Sequence, residues 1–320
     1  MKAIRIHEDG GPEVLRYEDA PDPEPGPDDV LIHLRAASLN HLDIWVRRGL
    51  PSVPKPRILG ADGAGLDDSG RRVVINPGLE HGDRITVIGE HTDGTHAELI
   101  AVPAANVYPI PEGLSFEEAA AFPLVFETAY RMLVTRAALQ EGEWVLAWGA
   151  GSGIGSATLV IAKALGARVI ATSSSDAKLE LAGGLGADAV VNHSTDDVVE
   201  AVKEATGGPG ADVVVEHVGE ATWERSLQAV RPHGRVAVCG ATTGPNPKAA
   251  LHRVWWKQLT ILGSTMGTKA DFEGVYDLVA AGRAKPVVDS VFPLSEARAA
   301  HERLESGEQF GKVVLAISPD

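Results

Sequence analysis

Cysteine is almost missing from this sequence, which contains a single one, Cys239, among 320 residues. One thiol excludes a disulfide framework and any zinc site that is built from several cysteines. Because Cys239 lies near the end of an apolar strand, we expect it to be a small core residue rather than a nucleophile. Aromatic residues are also scarce, at 5%, whereas 35 glycines and 20 prolines favour many turns and close backbone approaches.

Long apolar runs and an excess of basic charge are missing as well. The most apolar stretch, GSATLVIAKALGARVIATSS, is interrupted by Lys163 and Arg168, so no segment reaches the ~20 apolar residues of a membrane helix. The first residues lack the apolar core of a signal peptide, and we expect a cytoplasmic protein. A net charge of −15 argues against a nucleic-acid partner, which would require a basic face. This composition is typical of a globular protein that has no nucleic-acid partner.

A regular alternation of strands and helices is predicted for residues 142–265. The predicted strands are short apolar segments rich in β-branched residues: EWVLAWG, ARVIATS, ADAVVNH, ADVVVEHVG, GRVAVCG and LTILGS. Between them lie segments with helical periodicity: SATLVIAKALG, DAKLELAGGLG, DDVVEAVKEATGG and ATWERSLQAVRP. Strands that are apolar throughout, separated by amphipathic helices, indicate a parallel sheet covered on both faces. The predicted fold class is therefore α/β, with a doubly wound nucleotide-binding domain at residues 119–265.

The sequence before and after this region has a different pattern. Residues 1–118 are rich in proline and contain short alternating runs such as VLIHLRAA, RRVVI, RITVI and AELIAV, which predict an antiparallel, barrel-like domain. After LTILGS a helix, a strand, a second helix and the final GKVVLAIS follow. We expect residues 266–320 to return to the first domain, so that the nucleotide-binding domain is an insertion.

A glycine-rich turn, AWGAGSGIGSA, lies between the first predicted strand and the first helix of the insertion. Its glycines let the backbone approach a pyrophosphate, whose charge is favoured at a helix N-terminus. A strict G-x-G-x-x-G spacing is not met, because Ile154 takes one glycine position, and a tight strand–helix turn is the simpler reading. The position at the start of a βαβ series favours a dinucleotide site.

The end of the second predicted strand distinguishes between the two nicotinamide dinucleotides. An acidic residue is expected there when a ribose 2′-hydroxyl is bound. Thr172 and Ser173 take that place, and the nearest acid, Asp176, is better explained as a helix cap. Small hydroxyls together with Lys178 can accommodate a 2′-phosphate, so NADP(H) is preferred over NAD(H). Lys178 could equally be a solvated lysine of the next helix.

Motifs along nearly the whole chain resemble the medium-chain dehydrogenase/reductase superfamily, and within it the quinone oxidoreductase branch and nearby zinc-type alcohol dehydrogenases. They are SLNHLD, GADGAG, FPLVFETAY, the glycine turn, VEHVG, VCGATTG, ILGSTMGT and GKVVL. The resemblance implies a GroES-like catalytic domain and a Rossmann domain. It implies cofactor contacts from the following residues: Thr128, Gly149, Gly151, Ser152, Gly153, Ile154, Ser173, Lys178, Val218, Gly240, Ala241, Gly263, Ser264 and Lys312. Either Thr128 or Lys312 could instead be only a cap or a surface residue.

The positions that bind catalytic zinc in the zinc-dependent branch are changed here. Asn40 stands where that branch has a cysteine, and Gly60-Ala61-Asp62 stands where it has Gly-His-Glu. The lobe with four closely spaced cysteines is absent. Since catalytic zinc takes three protein ligands, we predict a zinc-independent enzyme. A rearranged metal site remains an alternative, built from His81, Asp83, His91 and His96.

Without a metal ion to stabilise an alkoxide, an electron-poor acceptor is the better substrate. The leading hypothesis is a reductase that uses NADPH to reduce quinones or α,β-unsaturated carbonyls, with small carbonyls possible. The resemblance places Asn40 and Asp43 beside the nicotinamide ribose and the substrate. Asn40 could donate to the acceptor oxygen and His41 could deliver a proton, or Asn40 could cap a short helix and His41 could be structural.

Two other functions stay open. One is an alcohol dehydrogenase with an unconventional metal, and the other is a protein that binds NADPH without turnover. The last strand, LTILGS, predicts a sheet edge that pairs with a second copy into a homodimer, which could pair further into a homotetramer.

Overall fold

The computed structural model describes residues 1–82 and 84–317 and forms two compact units. The first unit contains Met1–Leu124 and Pro286–Asp320, and the second contains Val125–Lys285. None of the helices in the described ranges combines the length and the apolar character needed to span a bilayer.

The first unit is built from antiparallel strands, as predicted. Its strands are β1 (Lys2–Ile6), β2 (Arg16–Asp19), β3 (Asp29–Ser38), β4 (Arg57–Ile58), β5 (Asp62–Asp67), β6 (Arg72–Ile75), β7 (Gly78–His81), β8 (Arg84–Val87), β9 (Leu99–Pro103), β10 (Val107–Pro109), β17 (Val288–Pro293) and β18 (Lys312–Ala316). The largest sheet has the order β10-β6-β5-β3-β18-β17, with β9 also paired to β3. Only the β17–β18 pair is parallel among the described strands of this unit. The strand β18 pairs with β3, so this late part of the chain belongs to the sheet of the first unit.

The central strand β3 explains how the local pattern becomes a sheet. Its alternating sequence VLIHLRAA buries Ile32 and Leu34 and exposes His33. The buried residues join a core with Val313 and Leu315 of β18. The helices of this unit are α1 (His41–Arg47), α2 (Phe116–Ala120) and α10 (Ala297–Ser306), and 3₁₀ turns cover Pro12–Val14, Ala104–Asn106 and Leu294–Glu296.

The second unit contains the predicted parallel sheet. The unit begins at Val125, inside α3 (Pro123–Tyr130), whose first two residues belong to the first unit. Its other elements are a π-helical turn (Arg131–Arg136), β11 (Trp144–Ala147), α4 (Gly153–Ala164), β12 (Arg168–Ser173), α5 (Asp176–Gly184), β13 (Ala189–Asn192), α6 (Val198–Thr206), β14 (Ala211–Glu216), α7 (Trp223–Ala229), β15 (Val230–Val238), α8 (Leu251–Trp256), β16 (Thr260–Gly263) and α9 (Lys269–Ala280). The strand order is β13-β12-β11-β14-β15-β16, and every pair is parallel. This is the doubly wound arrangement of six strands, so the α/β prediction is confirmed.

The compact units divide at other positions than the predicted domains. The expected boundaries lie after residues 118 and 265 of the chain, whereas the chain passes from one unit to the other after residues 124 and 285. The difference places α9 in the second unit. There Asp271 of α9 is buried and accepts hydrogen bonds from Arg131 at 3.1 Å and from Thr135. These bonds join positions more than a hundred residues apart, so the local sequence pattern does not show them.

Candidate functional site

The glycine turn of the second unit connects β11 to α4 with the backbone in close contact. Gly149 has a φ of +59°, a conformation that favours glycine. Ser152 caps α4, and its Oγ accepts a hydrogen bond from Gly155 N at 2.9 Å. A Cβ on Gly155 would lie 2.1 Å from the carbonyl oxygen of Gly149, so only glycine fits there. This geometry leaves the first N–H groups of α4, from Gly153 and Ile154, at a turn that fits a phosphate.

Most of the other predicted cofactor residues lie at the same edge of the sheet. Parallel strands end at a common edge, and nucleotides bind outside it, where the strand order reverses between β11 and β14. The residues placed there follow or end their strands: Gly151, Ser173, Val218, Gly240, Ala241, Gly263 and Ser264. Thr128 lies buried on α3, and Lys178 lies half-buried on α5.

The end of β12 carries hydroxyl groups and no carboxylate. Thr172 Oγ1 accepts from Gly149 N at 3.2 Å, and Ser173 Oγ accepts from Ser175 N at 3.2 Å. The nearest acid, Asp176, is the first residue of α5 and accepts from Asn192 Nδ2 at 2.7 Å. The carboxylate of Asp176, the acidic group nearest to the end of β12 in sequence, is therefore hydrogen-bonded to the Asn192 amide.

The two polar residues that end β14 form a structural network. Glu216 is fully buried and accepts hydrogen bonds from the hydroxyls of Thr222 and Ser226. His217 Nε2 donates to the carbonyl of Trp148 at 3.0 Å, and burial lowers the pKa of His217. These contacts fix the loop after β14, beside Val218.

Cys239 lies directly after β15 and is half-buried rather than fully in the core. Burial raises the pKa of its thiol to about 12. A thiol with such a pKa is not ionised near neutral pH, so it is a poor nucleophile.

A second group of polar side chains lies in the first unit, around the segment SLNHLD. Asn40 is at the N-cap position of α1, and the Asp43 carboxylate accepts from the backbone N–H of Asn40 at 2.7 Å. The other oxygen of Asp43 accepts from Gly60 N at 3.0 Å. Asp43 therefore fixes both the start of α1 and the chain that leads into β5.

Asn40 is the N-cap residue of α1, and its side chain also joins a buried ion pair. Asn40 Oδ1 accepts from Lys312 Nζ at 2.5 Å, and Asn40 Nδ2 donates to Asp62 Oδ2 at 2.9 Å. Lys312 Nζ also contacts Asp62 Oδ2 at 3.1 Å. Asp62 is further held by Ser38 Oγ and by the N–H of Leu124. All three central side chains are at most 4% exposed; we call Asn40, Asp62 and Lys312 the amide cluster.

Asp43 is the carboxyl group beside this cluster without a cation of its own. Burial, supported by the charge of Asp62, raises the pKa of Asp43 to about 7, against the two N–H donors and Lys312, which lower it. The amino group of Lys312 forms its ion pair with Asp62, which leaves no opposite charge in direct contact with Asp43 among the described residues. Asp43 can therefore exchange a proton near neutral pH.

His41 is the first helical residue of α1 and is half-buried. Its ring centroid lies 6.4 Å from that of Trp45, with the planes tilted by 57°. The two rings form one side of α1, and the role of His41 in proton transfer stays a prediction.

His96 lies beside the segment that leads into β5, and its backbone N–H donates to Leu59 O at 2.9 Å. It is fully buried, and neither of its ring nitrogens has a hydrogen-bond partner in the described part of the chain. Burial lowers its pKa to about 3, so the ring is neutral. It packs against Gly60, where a Cβ would lie 2.4 Å from His96 Cδ2, and its centroid lies 6.1 Å from that of the buried His301.

The described side chains of the first unit offer no set of ligands for a catalytic zinc. Within residues 1–82 and 84–317, no three or more His, Cys, Asp or Glu side chains are grouped so that they could hold a metal ion. Of the alternative set, His81 contacts Thr86 and His91 accepts from Val87 N, both at the surface, whereas His96 is buried. Asp83 lies outside the described residues. Asn40, which stands where the zinc-dependent branch has a cysteine, is instead in contact with the amino group of Lys312. The same amino group also contacts Asp62.

Asp62 was missed as a functional candidate from the sequence. The signal was present, since Asp62 is an acidic residue inside the glycine-rich strand GADGAG and stands where relatives have an acidic residue. Lys312 was assigned to the cofactor, and no contact with Asn40 was anticipated.

The comparisons with known proteins agree with this organisation. Residues 26–112 match the family described as alcohol dehydrogenase GroES-like domain, and residues 153–281 match the family described as zinc-binding dehydrogenase. The quinone oxidoreductase of Pseudomonas aeruginosa is 34% identical over 98% of this chain and 99% of its own. That of Rattus norvegicus is 32% identical over 99% and 98%.

Solved structures are similar along the whole chain. A crystal structure described as an NAD-dependent alcohol dehydrogenase is 44% identical, with a TM-score of 0.96, and covers 99% of this chain and 100% of its own. A cobalt- and zinc-bound thermostable alcohol dehydrogenase from Pyrobaculum aerophilum is 33% identical, with a TM-score of 0.88, and covers 99% of both chains. Full-length similarity to these enzymes, a GroES-like unit and a Rossmann-type unit lead to one conclusion: the chain belongs to the medium-chain dehydrogenase/reductase superfamily, as a quinone oxidoreductase-like oxidoreductase.

Proposed function

We propose that this oxidoreductase is a zinc-independent, NADPH-dependent reductase of quinones, α,β-unsaturated carbonyls or small carbonyls. The observation that carries the proposal is the amide cluster. Asn40 stands where the zinc branch has a cysteine, and Asn40 and Asp62 are bonded to each other and to Lys312. A lysine amino group in contact with both side chains disfavours a divalent cation at the same atoms.

Members of this superfamily bind NAD(P). The preference for NADPH is supported by the hydroxyl groups at the end of β12 and by the engagement of Asp176 with Asn192. A carboxylate at the end of β12 would repel a 2′-phosphate, whereas Ser173 and Lys178 can accept it. We expect Lys178→Ala to weaken NADPH binding at least tenfold more than NADH binding; equal effects on the two would reject the preference.

The residues of the first unit supply hydrogen bonds and a proton. When bound, the reduced nicotinamide supplies a hydride, which an electron-poor carbon accepts without a metal ion. Asn40 Nδ2 retains one N–H that can donate to the acceptor oxygen, where negative charge develops. Asp43, with a pKa of about 7, and His41 are the candidates to exchange the proton that completes the reduction.

A substrate panel tests the proposal. The purified protein is given NADPH or NADH with quinones, enals and aldehydes, with and without a chelator, and oxidation of the cofactor is followed. We expect turnover of quinones or enals that prefers NADPH, survives the chelator and falls ~100-fold in Asn40→Ala, as for loss of one oxyanion donor. Activity that requires stoichiometric zinc would overturn the proposal.

A second candidate is an NAD-dependent alcohol dehydrogenase. It is favoured by the solved structure so described, which is 44% identical to this chain. Oxidation of simple alcohols by NAD⁺ faster than any reduction of quinones would support it. Tight NADPH binding with no oxidation across the whole panel would instead indicate a protein that binds the cofactor without turnover.

We further propose that two copies pair through β16. This strand is the last in the order of its sheet and pairs only with β15 among the described strands. Four large apolar side chains of α8 and β16 are exposed: Leu251, Trp255, Trp256 and Ile261. An exposed strand edge beside an apolar patch favours pairing with another strand.

A further inference from the structure

The amide of Asn40 is held in one orientation by its two charged neighbours. The oxygen and nitrogen ends of an asparagine amide have almost the same shape, so packing alone rarely distinguishes them. Here Lys312 can only donate and the Asp62 carboxylate can only accept. The amide oxygen must therefore face Lys312 and the amide nitrogen must face Asp62, as observed at 2.5 Å and 2.9 Å.

This orientation leaves one donor unused. An amide nitrogen carries two hydrogens, and Asn40 Nδ2 makes one hydrogen bond, to Asp62, within residues 1–82 and 84–317. The amide oxygen, which would repel the oxygen of an acceptor, is taken by Lys312. The group that Asn40 can offer to a ligand is thus an N–H donor and not a carbonyl.

The backbone fixes the three side chains at one place. In the β3–β5 pair Ser38 lies opposite Asp62, and in the β3–β18 pair Ser38 lies opposite Val314. Leu39 N continues the second pair by donating to Val313 O at 2.9 Å. Continued by one more step, this antiparallel register brings position 40 opposite position 312. Three adjacent strands therefore set the geometry of the amide cluster.

We propose that Lys312 and Asp62 are positioning residues, which hold Asn40 so that its remaining N–H donates to the oxygen of the acceptor. The inference rests on the proposed reduction of an electron-poor acceptor. It reassigns Lys312 from cofactor contact, expected from the sequence, to control of Asn40. Stability alone does not explain this buried ion pair, because an apolar pair of similar volume usually stabilises a core as well.

A double-mutant cycle tests the inference. The variants are Asn40→Ala, Lys312→Met and the combination, and the readouts are kcat/KM for the acceptor and the Kd of NADPH. We expect Lys312→Met to lower kcat/KM about 10- to 100-fold, since a small misplacement of a donor can cost that much. In the Asn40→Ala background the same substitution should change kcat/KM no more than ~2-fold. The Kd of NADPH should stay within ~2-fold throughout.

Two results would overturn the inference. A tenfold or larger rise in the Kd of NADPH for Lys312→Met would show a role in cofactor binding. Independent, multiplicative losses in the cycle would show that Lys312 does not act through Asn40. Lys312→Arg, which keeps a charged donor, should retain more kcat/KM than Lys312→Met. If Lys312→Met does not fold, the cycle uses Lys312→Met with Asp62→Asn, which leaves no single charge buried.

A spectroscopic readout separates this inference from the proposed function. The side-chain amide of Asn40 gives a pair of ¹H–¹⁵N signals, assigned by their loss in Asn40→Ala. We expect hydrogen exchange of this amide to be at least tenfold faster in Lys312→Met than in the wild type. Unchanged exchange would refute the positioning role, even if the wild type proved active. If the wild type reduces no acceptor while exchange accelerates, the proposed function fails and the control of Asn40 stands.

Discussion

Asp43 and His96 are fully buried titratable residues of the first unit, and burial disfavours the charged form of each. It raises the pKa of Asp43 to about 7 and lowers that of His96 to about 3. At pH 5 the folded protein therefore holds a neutral Asp43 and a neutral His96, whereas the unfolded chain holds an aspartate and an imidazolium. The two residues give the stability opposite pH dependences.

The substitution Asp43→Asn tests the pH dependence of stability that comes from Asp43. A carboxyl group with a raised folded pKa stabilises the fold below its unfolded pKa of 3.8 and loses that contribution as the pH rises through about 7. At pH 5, two units below the folded value, it contributes about 2.7 kcal/mol more than at pH 8. Asparagine does not titrate. The free energy of urea unfolding of the wild type, relative to Asp43→Asn, should fall by about that amount between pH 5 and 8. The exposed Asp28→Asn is the control, and parallel curves would mean that Asp43 is ionised throughout.

The substitution His96→Leu tests the pH dependence of stability that comes from His96. Above the unfolded pKa of 6.5 the histidine is neutral in both states, and as the pH falls only the unfolded chain takes up a proton. At pH 5 this uptake costs the wild type about 2 kcal/mol of stability relative to pH 8. His96→Leu should lack this loss, as measured by urea unfolding at the two pH values. The control is His33→Leu, at an exposed position of β3, which should lose as much stability between pH 8 and pH 5 as the wild type. If His96→Leu lost stability to the same extent, His96 would be excluded as the source of the loss.

The residues of the site were predictable where they are neighbours in the chain. Asn40 and Asp43 were predicted because they lie together in the segment SLNHLD, which resembles a motif of the superfamily. The bond between Asn40 and Lys312 joins residues 272 positions apart, and only the pairing of β3 with β18 brings them together. Strand register across the whole chain cannot be derived from local patterns, so the amide cluster could not be predicted.

At the scale of elements, the order of strands and helices followed from periodicity. All six predicted strands and four helices of the second unit are present, because their apolar spacing matches the burial of each element. The position of α9 did not follow, because its amphipathic sequence shows which face is buried but not which unit covers it. The hydrogen bond from Thr135 to the buried Asp271 of α9 joins this helix to the second unit.

Gly155→Ala tests the contact between β11 and α4. A methyl group there would overlap the backbone of Gly149, so α4 must move away from the turn. We expect a loss of about 1–3 kcal/mol of stability, typical of overpacking, and at least a tenfold rise in the Kd of NADPH.

The matched control is Gly183→Ala, in the last turn of α5, where a Cβ meets nothing within 4 Å. It should stabilise the protein by about 0.5–1 kcal/mol, because alanine favours a helix over glycine. Unchanged NADPH binding in Gly155→Ala would remove the glycine turn from the cofactor site.

At the scale of the whole molecule, a net charge of −15 opposes association, so copies that pair need a specific apolar contact. The exposed face of α8 and β16 offers one, with Trp255 at 64% and Trp256 at 76% exposed. The two rings pack edge to face, with centroids 5.6 Å apart, and form one continuous apolar surface. Beside it, β16 has an open edge whose backbone groups can pair with the same strand of a second copy.

Charged substitutions on this face should therefore separate the copies. We expect the wild type to sediment as a dimer at micromolar concentration, and Trp256→Lys with Ile261→Lys to sediment as a monomer, because each lysine places an unpaired charge in the contact. Leu181→Lys, at an exposed apolar position of α5, should remain dimeric and controls for the added charge. The circular dichroism spectrum of each variant checks that the sheet is intact. A monomeric wild type, or a double variant that still pairs, would show that β16 is not the contact between copies.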